Sequence, residues 1–174
     1  PDGQIAGLAV SEAGGAYQLS DSKEPGTFTV TRESASTRVT WYFRADDERR
    51  TFDLTFSVDG AVRRYSDTAE FYYKFVGDGW DRPVGRVRAT VRFPASLERS
   101  DLRAWAHGPL NGEAQINADG TVEFNVAPLP ARQFWEGRIL FPSAVVASRA
   151  LSPSGPRVDA VLAEERNWAE EANA

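Results

Sequence analysis

Apolar and polar residues alternate along most of the chain, which is the pattern of β-strands with one buried face. The aromatic-rich run at residues 68–76 and the arginine-rich run at residues 86–93 show it most clearly. Their apolar members, which we predict to face a core, are Phe71, Tyr73, Phe75, Val87, Val91 and Phe93. Further runs of this period occupy residues 27–31, 38–44, 51–58, 102–107, 112–117, 121–126 and 134–141.

Turn-forming residues separate these runs. Asp59-Gly60 and Asp119-Gly120 are dipeptides that accept the positive φ of tight hairpins. Many short alternating strands with regular turns are typical of an all-β fold. We therefore predict an antiparallel β-sandwich, immunoglobulin-like or jelly-roll-like, over residues 1–151. Whether Trp80, in the connection between two strands, plugs one end of this sandwich stays open.

The hydrophobic period changes near the C-terminus. Residues 152–156 are rich in Ser, Pro and Gly and predict a linker. From residue 157 to residue 174 the apolar residues recur at helical spacing, and acidic residues occupy much of the remainder. We predict an amphipathic helix that needs a surface to pack on, because an isolated helix of this length is marginal in water.

Composition narrows the function classes. The 174 residues carry a formal net charge of -5, which argues against a nucleic-acid partner. There is no Cys and a single His, His107, so thiolate and multi-histidine metal sites are excluded. No run of 18 apolar residues occurs, so any membrane contact is expected through segments outside this chain. The chain opens without Met, and we expect it to be part of a longer protein.

Two sets of side chains are candidates for ligand binding. Arg103, Trp105 and His107 share one strand face, where they could stack on a sugar ring or bind an acidic group. The alternative is a half-buried Trp that covers a sheet edge. Arg86, Arg88 and Arg92 form an arginine face that could hold an anionic polymer. The alternative there is a solvated face paired with acids such as Glu70.

No catalytic constellation is evident. Asp67 and Glu70 could be read as an acid/base pair, but aspartates near turns more often hydrogen-bond to the backbone. The segment at residues 77–85 lacks the Gly-Lys-Ser/Thr ending of a phosphate loop. We therefore expect no enzyme activity, no catalytic residues, no metal and no cofactor.

Several motifs, in this order, resemble a known family. They are Asp67…Glu70-Phe71-Tyr72, Val76-Gly77-Asp78-Gly79-Trp80, Arg92-Phe93-Pro94, His107-Gly108-Pro109-Leu110 and Leu140-Phe141-Pro142. Together they resemble the extracytoplasmic domain of the YciQ-like predicted bacterial membrane proteins, a family of unknown function. The similarity covers residues 15–172, and the closing residues 162–173 resemble the helix that leads into the family's transmembrane segment.

The resemblance implies a membrane-anchored ectodomain, tethered at its C-terminal end, on the extracytoplasmic face of the bacterial cell membrane. It implies no catalytic residues. Family members usually carry an opening strand pair that has no counterpart here.

Our first hypothesis is an interaction or sensing module at the cell envelope with an unknown protein partner. The second is a module that binds carbohydrate or an envelope polymer, and the third, without support from strand alternation, is a carboxylate hydrolase.

Overall fold

A computed structural model describes residues 5–34, 36–147 and 155–173. The chain divides into two compact units, an N-terminal unit of residues 2–60 and a C-terminal unit of residues 61–174. The described residues form thirteen strands and one C-terminal α-helix, so the predicted all-β, sandwich-like fold with a terminal helix is confirmed. The predicted linker falls partly on residues 152–154, which lie outside the described residues, and the predicted domain division stays a prediction.

The N-terminal unit contains two three-stranded sheets. Their strand orders are β2-β1-β6 and β3-β4-β5, and all pairs are antiparallel except β3 with β4. The strands are β1 (Ile5–Glu12), β2 (Gly15–Ala16), β3 (Gln18–Leu19), β4 (Thr27–Arg32), β5 (Thr37–Tyr42) and β6 (Asp53–Val58). The ring of Phe52 contacts those of Tyr17, Trp41 and Phe43, at centroid distances of 6.3, 5.7 and 4.7 Å.

The C-terminal unit is built from two sheets and the helix. One sheet has the order β10-β13-β8-β7 and the other β11-β12-β9, and every pair is antiparallel. Its elements are β7 (Val62–Arg64), β8 (Ala69–Val76), β9 (Val87–Val91), β10 (Arg103–His107), β11 (Glu113–Ile116), β12 (Val122–Val126), β13 (Trp135–Phe141) and α1 (Val158–Ala172). Short 3₁₀ turns occupy Arg99–Asp101 and Ser143–Val145.

The core lies between these two sheets. Phe124 of β12 is fully buried, and a Cβ added to Gly137 of β13 would lie 2.6 Å from its ring. Such a distance is shorter than any real Cβ contact, so the close approach of the sheets requires glycine at this position. Five of the six core-facing residues predicted for β8 and β9 pack on this cluster, namely Phe71, Phe75, Val87, Val91 and Phe93. Tyr73 is half-buried and stacks on Phe71 at a centroid distance of 5.7 Å.

Strand β13 is buried on both of its faces. Ile139 packs in the core between the sheets, whereas Arg138 on the opposite face is only 1% exposed. The second face is covered by α1, since Arg138 bonds to side chains of that helix. This burial explains why β13 ends in the unbroken apolar run Ile139–Phe141 instead of alternating.

Trp80 does not plug the sandwich. Its side chain is 60% exposed, and its carbonyl accepts a hydrogen bond from the backbone N–H of Arg132 at 2.7 Å. Trp80 therefore lies in an exposed connection between β8 and β9. Its position is fixed by the backbone hydrogen bond and not by burial of its side chain.

Candidate functional site

A buried arginine joins the sheet to the helix. Arg138 Nε donates to Glu70 Oε1 of β8 at 2.6 Å, Nη1 donates to Glu165 Oε1 at 2.9 Å, and Nη2 donates to Glu164 Oε2 at 2.7 Å. Glu165 is itself buried, at 7% exposure. A guanidinium is suited to this position because it is always charged and offers five donors in a fixed fork.

A second arginine, at the start of α1, completes this group of charged side chains. Arg157 donates from Nη1 and Nη2 to the two oxygens of Glu164, at 2.9 and 3.1 Å, and its Nε lies 3.6 Å from Glu70 Oε2. We call these five side chains (Glu70, Arg138, Arg157, Glu164 and Glu165) the Arg138 cluster. Three carboxylates face two guanidinium groups, so each charge has an opposite partner, including the buried charges of Arg138, Glu70 and Glu165.

The pKa values in the cluster follow from these bonds. Burial acts against the charged form of Arg138, but the hydrogen bonds that it donates to Glu165, Glu164 and Glu70, with the negative charge of Glu70, outweigh it and raise the guanidinium pKa. Burial also acts to raise the pKa of Glu164, but the hydrogen bonds and positive charges of Arg138 and Arg157 together more than compensate, so that pKa is lowered. Both groups therefore remain charged at neutral pH.

The N-terminus of α1 is capped by a residue that directly precedes a strand of the sheet. The carboxylate of Asp67, just before β8, accepts the backbone N–H of Arg157 at 2.8 Å and that of Val158 at 3.1 Å. The helix has no side-chain cap of its own, and these donors would otherwise lack a partner within it. The bonds lower the pKa of Asp67 against the opposing effect of burial.

His107 contacts the face of α1 that carries Glu165, nearer to the C-terminal end of the helix. Its Nε2 is 2.9 Å from Glu165 Oε2, and its ring meets Trp168 edge-on at a centroid distance of 4.9 Å. Its Nδ1 is buried without a hydrogen-bond partner and lies 3.8 Å from Glu136 Oε1. That same oxygen accepts the hydroxyl of Tyr72 at 2.5 Å, and burial together with this bond raises the tyrosine pKa.

A cavity of about 530 Å³ opens beside α1. Its walls carry four aromatic side chains, from β8, β10, the segment before β13, and α1, which are Tyr72, Trp105, Phe134 and Trp168. His107, Glu136 and Glu165 supply its titratable polar groups besides Tyr72. We call this cavity the α1 pocket. An aromatic-lined concavity with a few converging polar groups is the usual form of a small-molecule site.

The structure divides the first predicted set of ligand-binding residues, which is Arg103, Trp105 and His107. Trp105 and His107 face α1 and line the α1 pocket, whereas Arg103 on the same strand is exposed and does not line it. β10 is an edge strand of its sheet and Trp105 is half-buried there, so the alternative of a Trp that covers a sheet edge stays open beside ligand binding. A role of all three in ligand binding stays a prediction.

The arginine face lies on the other sheet. Arg86, Arg88 and Arg92 are all exposed on or beside β9, and Arg88 Nε donates to Asn125 Oδ1 of the neighbouring strand at 3.2 Å. Glu70, which the sequence suggested as their acidic partner, is buried in the Arg138 cluster instead. A role of the three arginines in polymer binding also stays a prediction.

Sequence reasoning missed Arg138 and Glu136. Both sit on β13 at positions whose alternation with apolar residues is typical of a solvent-facing side. The unbroken apolar run after Arg138 could have indicated that Arg138 is buried, because such a run is typical of a strand without a solvent-facing side. Among the described residues, no group of three or more His, Cys, Asp and Glu side chains is arranged to hold a metal ion.

Fold and site together define an all-β domain whose terminal helix is fixed to one sheet by buried charges. Residues 6–141 match the family described as predicted membrane protein (DUF2207) N-terminal domain, and the chain belongs to this family. The resemblance to a family of uncharacterised membrane proteins is thereby confirmed, while the narrower YciQ-like assignment stays a prediction. No curated protein and no solved structure matches the chain. Neither α1 nor any other helix in the described part of the chain is long and apolar enough to cross a bilayer.

Replacing Arg138 with Met tests the cluster. We expect the free energy of unfolding at pH 7 to fall by about 3–5 kcal/mol, because three carboxylates lose their shared buried cation. Urea denaturation measures the change. The matched control is Arg88→Met, an exposed position where we expect a change within about 0.5 kcal/mol. Equal stability of the two variants would contradict the role given to Arg138.

Replacing Asp67 with Ala tests the cap. We expect a loss of about 0.5–2 kcal/mol at neutral pH, as for other helix caps. Because the folded-state pKa of Asp67 is lowered, this contribution is fully present above the pKa of an unfolded aspartate. It should disappear as the pH falls through the lowered folded-state value.

Unfolding measured from pH 7 to pH 2 for wild type and Asp67→Ala would therefore show a gap that closes only in acid. The exposed Asp81→Ala variant serves as control. A gap that stayed constant across this range would show that the carboxylate charge of Asp67 is not what caps α1.

Proposed function

We propose that this domain is a non-enzymatic, extracytoplasmic module of a membrane-anchored bacterial protein, and that it serves in interaction or sensing at the cell envelope. In this proposal α1 is the connection between the β domain and the membrane-embedded part of the protein. Membership of a family of predicted membrane proteins supports the anchoring.

The observation that carries the proposal is the attachment of α1 to the sheet. Two carboxylates of the helix bond to Arg138, and Asp67 fixes the start of the helix. Val161 of the helix is fully buried. A helix that only followed the domain as a spacer would need none of these bonds, whereas a helix that holds the domain in one orientation needs several.

The bonds that the carboxylates of Asp67 and Glu70 make support a non-enzymatic role. Asp67 and Glu70, the pair that could have been an acid and a base, are engaged in the cap and in the Arg138 cluster respectively. Glu70 is 4% exposed, so a substrate does not reach it without displacement of α1.

Binding of a carbohydrate or an envelope polymer is the second candidate function. It is favoured by the position of Trp105 and His107 in the wall of the α1 pocket, because aromatic rings beside polar groups are suited to stacking on sugars. This site lies against α1, so a ligand bound there would contact the connecting helix directly.

Cysteine labelling in intact cells tests the location. The domain has no Cys, so Leu110→Cys, at a side chain that is 85% exposed, introduces a single reporter. In the full-length protein with any other cysteines replaced by Ser, we expect a membrane-impermeant maleimide to label this position without permeabilisation.

The matched control is Val122→Cys, at a fully buried position, which should react only after denaturation. Labelling of Leu110→Cys that required cell lysis would place the domain on the cytoplasmic side and would refute the extracytoplasmic proposal.

A further inference from the structure

We propose that the α1 pocket binds a ligand that carries a protonated amine, with Glu136 as the carboxylate partner and the aromatic rings as the walls. Lys74 acts as an internal competitor for the same carboxylate. This inference goes beyond the proposed connecting role of α1, and its failure would leave that role unaffected.

The charge of the pocket favours a cation. None of the described residues that line it is Lys or Arg, and its two carboxylates are Glu136 and Glu165. Glu165 is already satisfied, since Arg138 and His107 bond to its two oxygens at 2.9 Å each. Glu136 is therefore the carboxylate whose charge is available to a ligand.

The bonds of Glu136 show where that ligand would attach. Its Oε1 accepts the hydroxyl of Tyr72, whereas the nearest recorded charged partner of Oε2 is Lys74 Nζ at 3.9 Å. This separation is longer than a hydrogen bond, so Oε2 keeps acceptor capacity. A free acceptor in a site without basic lining residues is available to a ligand donor, and an ammonium group offers three.

The aromatic walls suit the same ligand. Cations are attracted to the faces of aromatic rings within about 6 Å of the centroid. Rings of this pocket already make such contacts, since the guanidinium of Arg138 lies 4.9 Å from the centroid of Tyr72 and 5.7 Å from that of Trp168. The remaining ring surface would hold the apolar body of an amine.

Lys74 shows that one ammonium group can contact Phe134 and Glu136 together, and both of these residues line the pocket. Its Nζ lies 4.9 Å from the centroid of Phe134 as well as 3.9 Å from Glu136, so it uses one aromatic wall and the carboxylate together. The Lys74 side chain is 49% exposed, and half-exposed ion pairs are weak enough for a ligand to displace. Removal of Lys74 should therefore strengthen binding of an external amine.

The experiment titrates the domain with 2-phenylethylammonium at pH 7 and uses 2-phenylethanol as the uncharged probe. Trp105 and Trp168 line the pocket, so their indole N–H signals in a ¹H–¹⁵N spectrum report binding there. We expect the amine to shift these signals with at least about tenfold higher affinity than the alcohol, the factor typical of a charge-assisted hydrogen bond.

Two variants should change the affinity in opposite directions. Glu136→Gln keeps an acceptor for Tyr72 but loses the charge, and it should weaken amine binding by about tenfold or more. Lys74→Gln should strengthen it by up to about fivefold, the range expected for a weak exposed pair. Glu113→Gln, at an exposed site on β11, is the matched control and should leave the affinity unchanged.

Three outcomes would overturn the inference. Equal affinity for the amine and the alcohol would show an apolar pocket without charge selection, and absence of any shift at Trp105 and Trp168 would show that the pocket does not bind the amine. Binding of a neutral oligosaccharide at these signals, unaffected by Glu136→Gln and stronger than that of the amine, would support the carbohydrate function instead.

Discussion

The docking of α1 on the sheet depends on the buried charge of Arg138. A cation at 1% exposure is costly unless it is paired and hydrogen-bonded, and here one carboxylate of the sheet and two of the helix supply that pairing. An apolar contact between α1 and β13 would tolerate several positions of the helix along the sheet. Three directed bonds to one guanidinium allow a single position, so we infer that the cluster specifies the register of α1 more than it adds to stability.

The α1 pocket is a consequence of this docking. One side of the pocket is formed by strands and the other by Trp168, Ala169 and Ala172 of the helix. Glu165 belongs to both sites, because one of its oxygens bonds to Arg138 and the other to His107. A ligand in the pocket and a displacement of α1 would therefore affect each other, which is the coupling that the proposed sensing role requires.

Strand positions were predictable because period-two alternation depends on local sequence alone. The aromatic strand β8 was expected at residues 68–76 and is observed at Ala69–Val76. The function of its outward face was not predictable, because Glu70 and Tyr72 have the polarity of solvent-facing residues. Only the position of α1, which is a long-range property, shows that they are buried or half-buried.

The buried residues of α1 were likewise not predictable from local sequence. Its apolar spacing predicted an amphipathic helix over residues 157–174, and the structure has α1 at Val158–Ala172. Its acidic residues appeared to belong to the exposed side, yet Glu165 lies one turn after buried Val161 and is itself buried. A glutamate in the contact face is stable only opposite a cation, and no sequence pattern connects it with an arginine 27 residues earlier.

Hydrogen exchange measured on wild type and Arg138→Met tests the central claim most directly, since it reports the helix and the sheets separately. The account predicts that the amides of α1 lose most of their protection in the variant, while the amides of β12, in the other sheet, remain protected well above those of α1. Unchanged protection of α1, or an equal loss in α1 and β12, would contradict the claim that Arg138 holds this helix on the sheet.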